Sequence, residues 1–230
     1  LQHRDMELIA ESAKNVPWEK PRTFHEALNM SWFVREILGI TDGLMVYSLG
    51  HPDAMYKELY DADIASGRIT AEEAFRMIAG WLLAAECHHD PMRPVAGYND
   101  HEMEIPVTLG GCDRDGKEVF NDITRMFILA HRRLNLAFPK LHCRCSASSS
   151  EEYFRMLADD VYMGRAVHTL FNDDITIPTM VNDGKSLEDA RTYICNGCWD
   201  PICESRENRY GANYYSLARV LEAMVYHSPE

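Results

Sequence analysis

The chain has 230 residues, of which 46% are hydrophobic and 26% charged, and its 36 acidic against 23 basic residues give a net charge of −13. This is a globular balance, long enough to bury a sizeable core, and its acidity argues against docking on phosphate backbones or on an anionic membrane. The longest apolar stretch, Ile78 to Ala85, is broken by Gly80 and falls well short of the roughly 20 residues of a membrane span.

The chain opens at Leu1 in a helical pattern, and no basic and apolar secretory leader is visible in it. Thr23 with Glu26 predicts a capping box for a helix carrying Ala27, Leu28, Trp32, Phe33 and Ile37, with Gly39 as its stop. Thr41 to Asp53 reads as a loop, followed by a helix ending near Gly67. Thr70 and Glu73 cap the next helix, which runs to about Cys87. Cys87 to Glu104 reads as a loop, and Ile105 to Leu109 as a strand closed by Gly110 and Gly111. A turn at Asp113 to Gly116 precedes a helix from about Val119 to Asn135. Leu141 to Cys145 is strand-like, Ser150 opens a helix to about Met163, and Val167 to Phe171 is a further strand. Ser186 caps a short helix leading to the strand Tyr193–Cys195, then a loop from Asn196 to Ser205, and a helix from Tyr214 to Tyr226 closes the chain. Strands separated by helices predict a helix-rich α/β fold.

Seven cysteines, an odd number without the even spacing of a disulfide scaffold, predict a reducing, cytoplasmic compartment. The densest group of reactive types is Asn196-Gly-Cys198-Trp-Asp200-Pro201. Gly197 allows a sharp turn and Pro201 stiffens the exit, so Cys198 would be held in place with a carboxylate two residues on. The same residues would also suit a buried thiol at a strand end. Cys195 and Cys198 fit C-x-x-C, but no helix N-terminus follows to make a redox dithiol. Cysteines 143, 145, 195, 198 and 203 lack the two regular pairs of a structural zinc site. Of Cys87, His88, His89 and Asp90, at most two could face one metal. No metal site is expected. Phe171-Asn-Asp-Asp174 suits either a cation or a helix cap.

Taken in order, these segments resemble the glycyl radical enzymes of the pyruvate formate-lyase type. The resemblance is carried by Pro21-Arg-Thr-Phe-His-Glu-Ala-Leu28 with Trp32-Phe33, Tyr60 to Ile64 with Gly67 to Ala74, and Val107-Thr-Leu-Gly-Gly111. It continues through Asp113 to Lys117 with Asn121-Asp122, Pro139-Lys-Leu-His142 with Arg144, Leu170 to Asp173, Ile177-Pro178 and Ser186 to Arg191, and reaches Gly197-Cys-Trp-Asp-Pro201. It implies that residues 1–230 are the cysteine-loop portion of a pyruvate formate-lyase-like domain, part of a ten-stranded β/α barrel.

The resemblance further implies that Cys198 becomes a thiyl radical that takes hydrogen from a small organic substrate, with Asp200 as base in the same cavity, its pKa raised by apolar surroundings. The family's radical glycine has no counterpart here. It is expected on a separate portion or subunit, installed by a radical S-adenosylmethionine activating enzyme under anaerobic conditions, with no bound cofactor and a homo- or hetero-oligomeric assembly. Asp200 stands where the family more often has Glu, and His51 stands at an Arg position of a partly matching Ser48-to-Asp53 segment. Leu44, Met45 and Val46 replace a polar stretch of the diol dehydratases; either these residues pack in the core, or Met45 and Val46, with Glu104, line a substrate site that suits an aromatic or arylacetate-like molecule. The competing expectation is a non-catalytic barrel fragment or partner-binding subunit.

Overall fold

The computed structural model describes residues 2–42, 48–87, 106–165, 167–197, 200–204, 206 and 217–226. Helices α1 (Gln2–Asn15) and α2 (Phe24–Asp42) come first. The start of α2 is fixed from two sides. Thr23 Oγ1 accepts from the Glu26 N–H at 3.1 Å, and the Phe24 N–H donates to Asp63 Oδ2 at 2.8 Å. The Glu26 carboxylate turns instead to the Arg22 N–H and to Asn15 Nδ2, at 2.7 and 2.8 Å, tying α2 to the end of α1. Gly39, expected to stop α2, lies inside it; an internal glycine costs only about 1 kcal/mol against alanine and removes no hydrogen bond.

The stretch expected to be a loop from Thr41 to Asp53 is described in part. Its described residues include the end of α2, a segment 48–50 that lies along the sheet, and the start of α3 (Pro52–Met55). Helices α4 (Lys57–Ala65) and α5 (Ala71–Cys87) follow. Here Thr70 makes the predicted box: its N–H donates to Glu73 Oε2 at 2.9 Å and its Oγ1 accepts from the Glu73 N–H at 3.2 Å. The loop expected from Cys87 to Glu104 lies, beyond Cys87, outside the described residues.

Strand β1 (Val107–Gly110), helix α6 (Asp122–Leu134), β2 (Leu141–Cys145), helix α7 (Glu151–Tyr162) and β3 (His168–Asn172) then alternate. The strands form a parallel sheet in the order β1-β2-β3, with Leu109 opposite Cys143 and Cys143 opposite Leu170. Segment 48–50 borders β1, where the Leu49 N–H donates to Pro106 O and the Thr108 N–H to Gly50 O, each at 2.9 Å. Asn121 caps α6 with a box that uses Thr124, so this helix starts later than Val119. The core lies between the sheet and α2, α5 and α6. Trp81 meets Phe127 edge-on at 5.8 Å and donates its indole N–H to Leu28 O at 3.2 Å. Burying several such aromatic and aliphatic side chains, each worth roughly 1.5–3 kcal/mol, is the main stabilisation of this layer.

Helix α8 (Asp173–Asn182), α9 (Leu187–Arg191), the antiparallel pair β4 (Tyr193–Asn196) and β5 (Asp200–Cys203), and α10 (Leu217–Tyr226) complete the described elements. Of the two readings of residues 171–174, the helix cap is the one seen: Asn172 caps α8, which contains Pro178, by accepting from the Asp174 N–H. None of the described helices is long and apolar enough to cross a membrane.

Buried histidines make this fold acid-sensitive. His131, 1% exposed, donates from Nε2 to Pro139 O at 3.0 Å, and burial pushes its pKa down to about 4. His142 on β2, also 1% exposed, is pushed to about 4 for the same reason. Both folded values lie below the ordinary 6.5, so the unfolded chain takes up protons first as pH falls. Their contribution is full above pH 6.5 and is lost between about 6.5 and 4. A urea titration should show stability on the order of 3 kcal/mol lower at pH 5 than at pH 7, and His131→Gln should remove about half of that difference. Equal stability at the two pH values would mean that these rings stay protonated in the fold.

Candidate active site: the cysteine hairpin and its anchor

Part of the loop expected from Asn196 to Ser205 is a strand. Asn196 pairs with Asp200, Cys195 with Pro201, Ile194 with Ile202 and Tyr193 with Cys203. Pro201 is tolerated because β5 belongs to a two-stranded ladder, where a missing N–H leaves no inner neighbour unpaired. The ladder leaves residues 197–199 to join the strands. Gly197 is buried with φ 56°, the left-handed region that glycine enters without a Cβ clash. Cys198 lies outside the described residues, as do Trp199 and the expected substrate-lining residues Met45, Val46 and Glu104. Asp200 opens β5 and is exposed, so the described residues of this chain do not form the apolar cavity expected around it.

Beneath the hairpin is an anchor that sequence reasoning missed. Arg144 on β2 is 0% exposed. Its Nε and Nη2 donate to the two carboxylate oxygens of Asp173 at 3.1 and 2.8 Å, Nη1 to Tyr193 O at 3.0 Å, and Nη2 also to Arg191 O at 2.7 Å. The guanidinium lies 3.9 Å from the centroid of the Tyr193 ring, whose hydroxyl donates to Asp173 Oδ1 at 2.7 Å. Burial opposes the Arg144 cation, yet the charge of Asp173 holds it firmly protonated. Burial, with Asp173 alongside, pushes the Tyr193 phenol up, so it stays a neutral donor. Gly111, at φ 76°, makes room: a Cβ there would stand 2.6 Å from Arg144 Nε. Neighbouring Gly110 lies where a Cβ would meet Arg144 O at 2.7 Å and strike the Tyr153 hydroxyl. The visible sign in the sequence is an arginine inside an otherwise buried strand.

His51 and Asp53 brace the end of β1. His51 Nε2 lies 2.8 Å from Gly110 O and 3.1 Å from Asp53 Oδ1, while Asp53 Oδ2 accepts from the Gly110 N–H at 2.9 Å and from the Thr124 hydroxyl at 2.7 Å. Glu204, directly after β5, is half-buried, and burial raises its pKa against the pull of His51, Arg114 and Arg144. It is a second carboxylate at the hairpin that the sequence did not single out.

Cys143, His168 and Asp160 form a line in the order of a nucleophile, base and acid. His168 Nε2 is 2.7 Å from Asp160 Oδ2, and its Nδ1 is 3.5 Å from Cys143 Sγ. Cys143 is fully buried and its thiol pKa is driven far up by that burial, so the line packs rather than reacts. Burial likewise raises Cys112 and Cys145, and pushes Cys195 up to about 12. Among the described residues no three His, Cys, Asp or Glu side chains converge as metal ligands. An open cavity of about 440 Å³ lies between α2, α3 and segment 48–50, and no residue of β4 or β5 lines it.

The chain is similar to isethionate sulfite-lyase of Nitratidesulfovibrio vulgaris, 29% identical over 228 residues that cover 97% of this chain and 28% of that protein. It is similar to trans-4-hydroxy-L-proline dehydratase of Clostridioides difficile at 23% identity, covering 95% of this chain and 28% of that one. A glycyl radical enzyme from Archaeoglobus fulgidus superposes with a TM-score of 0.79 at 29% identity, over 85% of this chain and 26% of that one. The chain thus spans little more than a quarter of the length of these relatives. The expected aromatic preference finds no support, since these enzymes are named for a sulfonate and an amino acid, and Leu44 to Val46, on which it rested, lie outside the described residues. The pyruvate formate lyase-like family model matches residues 2–228, and the chain belongs to that family of glycyl radical enzymes.

Proposed function

We propose that this chain is the cysteine-hairpin portion of a glycyl radical lyase or dehydratase acting on a small hydroxylated substrate. The observation that carries this reading is the hairpin: within a family match over residues 2–228, its ladder leaves residues 197–199, with Cys198 in the middle, to join the strands over a buried anchor. A glycyl radical on another portion takes the hydrogen atom of the Cys198 S–H, leaving a C–H there and a sulfur-centred radical here. That radical takes a hydrogen atom from a substrate carbon, the S–H is re-formed, and the substrate radical eliminates its leaving group. The product radical then recovers the hydrogen from sulfur, so each turnover regenerates the thiyl radical. Asp200 accepts the substrate hydroxyl proton.

The remaining portion would complete the ten-stranded barrel. Supporting this, β3 pairs only with β2 among the described residues, and Leu170 on it is 54% exposed, with Ile175 at 65% on α8. Helix α10 buries none of its residues, with Leu221 and Met224 at 62% and 68%. Such apolar surface marks a face that other protein covers.

The test combines the chain with the glycine-bearing portion, a radical S-adenosylmethionine activating enzyme and S-adenosylmethionine, without oxygen. An organic radical should appear by electron paramagnetic resonance, followed by consumption of a member of a panel of small diols, hydroxysulfonates and hydroxyproline. The chain alone should be silent and self-associating. A monomeric chain that turned over such substrates alone in air would overturn the reading.

A further inference from the structure

We propose that Thr108, Arg144 and Asp173 are positioning residues that set the height and tilt of the β4–β5 hairpin, and with it the rate of hydrogen transfer at its turn. This rests on the thiyl reading of Cys198. A two-stranded hairpin is marginally stable by itself, and this one shares no ladder with the β1-β2-β3 sheet. Its attachments include side-chain bonds that reach β4 and the residues just before it, beside the packing of Tyr193, Cys195 and Cys203 against Phe171 and Met180. Arg144 takes the carbonyls of Tyr193 and Arg191, Asp173 takes the Tyr193 hydroxyl, and Thr108 Oγ1 accepts from the Cys195 N–H at 3.0 Å. Thr108 and Arg144 are each 0% exposed, so water cannot replace either bond without opening the core.

The Thr108 contact is the one nearest the turn, three residues before Cys198. Thr108 lies opposite His142 on β2 in a sheet that carries Arg144 two residues further on. One rigid parallel sheet therefore grips the same strand at two heights. Atom transfer needs reacting atoms about 3–3.5 Å apart, and a displacement near 1 Å costs about 100-fold. A strand pinned at two levels holds such a distance; a strand pinned at one level pivots.

The test needs no known substrate. In the full-length protein, activated without oxygen and moved into deuterated water, the hydrogen on the radical glycine exchanges through the Cys198 S–H, which trades its proton with solvent. Loss of the hydrogen splitting in the resonance signal times the exchange. Thr108→Val, which keeps the shape and loses the acceptor, should install the same amount of radical but exchange at least about tenfold more slowly. Thr108→Ser, which restores the acceptor, should return the rate to within about twofold. Tyr193→Phe, which removes the hydroxyl that ties β4 to Asp173 and leaves Arg144 as the donor to that oxygen, gives an independent second slowing. If Thr108→Val and Tyr193→Phe both exchange at the wild-type rate while Cys198→Ala does not exchange, the hairpin anchor does not position the thiol and the inference fails alone. If Cys198→Ala exchanges like wild type, the thiyl reading itself fails.

Discussion

Replacing Arg144 with methionine is expected to cost about 3–5 kcal/mol, the range for breaking a buried ion pair from one side. The loss is large because the buried Asp173 carboxylate, 4% exposed, would lose its cationic partner and keep the Tyr193 hydroxyl as its donor among the described residues, and because the carbonyls of Tyr193 and Arg191 would each lose a charged donor. In a chain of this size the melting midpoint should fall by roughly 10 °C. The pair as a whole is a weaker contributor than either single change suggests. Removing both charges with Arg144→Met and Asp173→Leu should cost clearly less than the sum of the singles, since no uncompensated charge remains. Arg144→Lys should fall between wild type and Arg144→Met, because an ammonium keeps the charge but cannot hold a two-pronged carboxylate contact. A loss below about 1 kcal/mol for Arg144→Met would show that the site hydrates freely and anchors nothing.

What the sequence discloses here is what is local. Helix α5 announces itself through the Thr70 and Glu73 box and its apolar face, and β1 through an apolar run stopped by two glycines. The helix α8 is hidden because its cap, Asn172 with two acids, resembles a cation loop and Pro178 interrupts the pattern. Strand β5 is hidden because Pro201 and a preceding turn signal read as continuous loop. Both are cases in which packing overrides local propensity. The anchor is hidden for another reason. Asp173 lies 29 residues and Tyr193 49 residues from Arg144, and only parallel stacking of β2 beside β3 brings them together. A residue-by-residue reading sees a charged side chain in a buried strand, without its partners. The order of motifs along the chain, by contrast, is carried by many short segments at once, which is why the family was legible although no single motif decides it.

Cys198→Ala is expected to lower turnover of the assembled enzyme by about four orders of magnitude or more, the scale on which loss of the reacting atom acts, while the glycyl radical forms to its normal extent. Cys195→Ala is expected to keep activity within about threefold, because it removes a packed thiol rather than a reactive one. The two cysteines lie three residues apart, and Cys195 belongs to a strand. Cys195 sits inside β4 with 0% exposure, its N–H held by Thr108 and its thiol pushed by burial up to about 12. Cys203, which pairs with Tyr193 across the hairpin, is likewise buried. Cys198 belongs instead to residues 197–199, which join the strands beyond the last ladder pair, Asn196 with Asp200. Radical transfer needs a thiol that meets a glycine on one side and a carbon on the other, and a sulfur locked in a ladder can turn to neither. Radical quantitation and product formation, measured on the same samples of both variants, separate the roles. An active Cys198→Ala beside an inactive Cys195→Ala, with equal radical in each, would move the chemistry into the strand and sink the hairpin-turn mechanism.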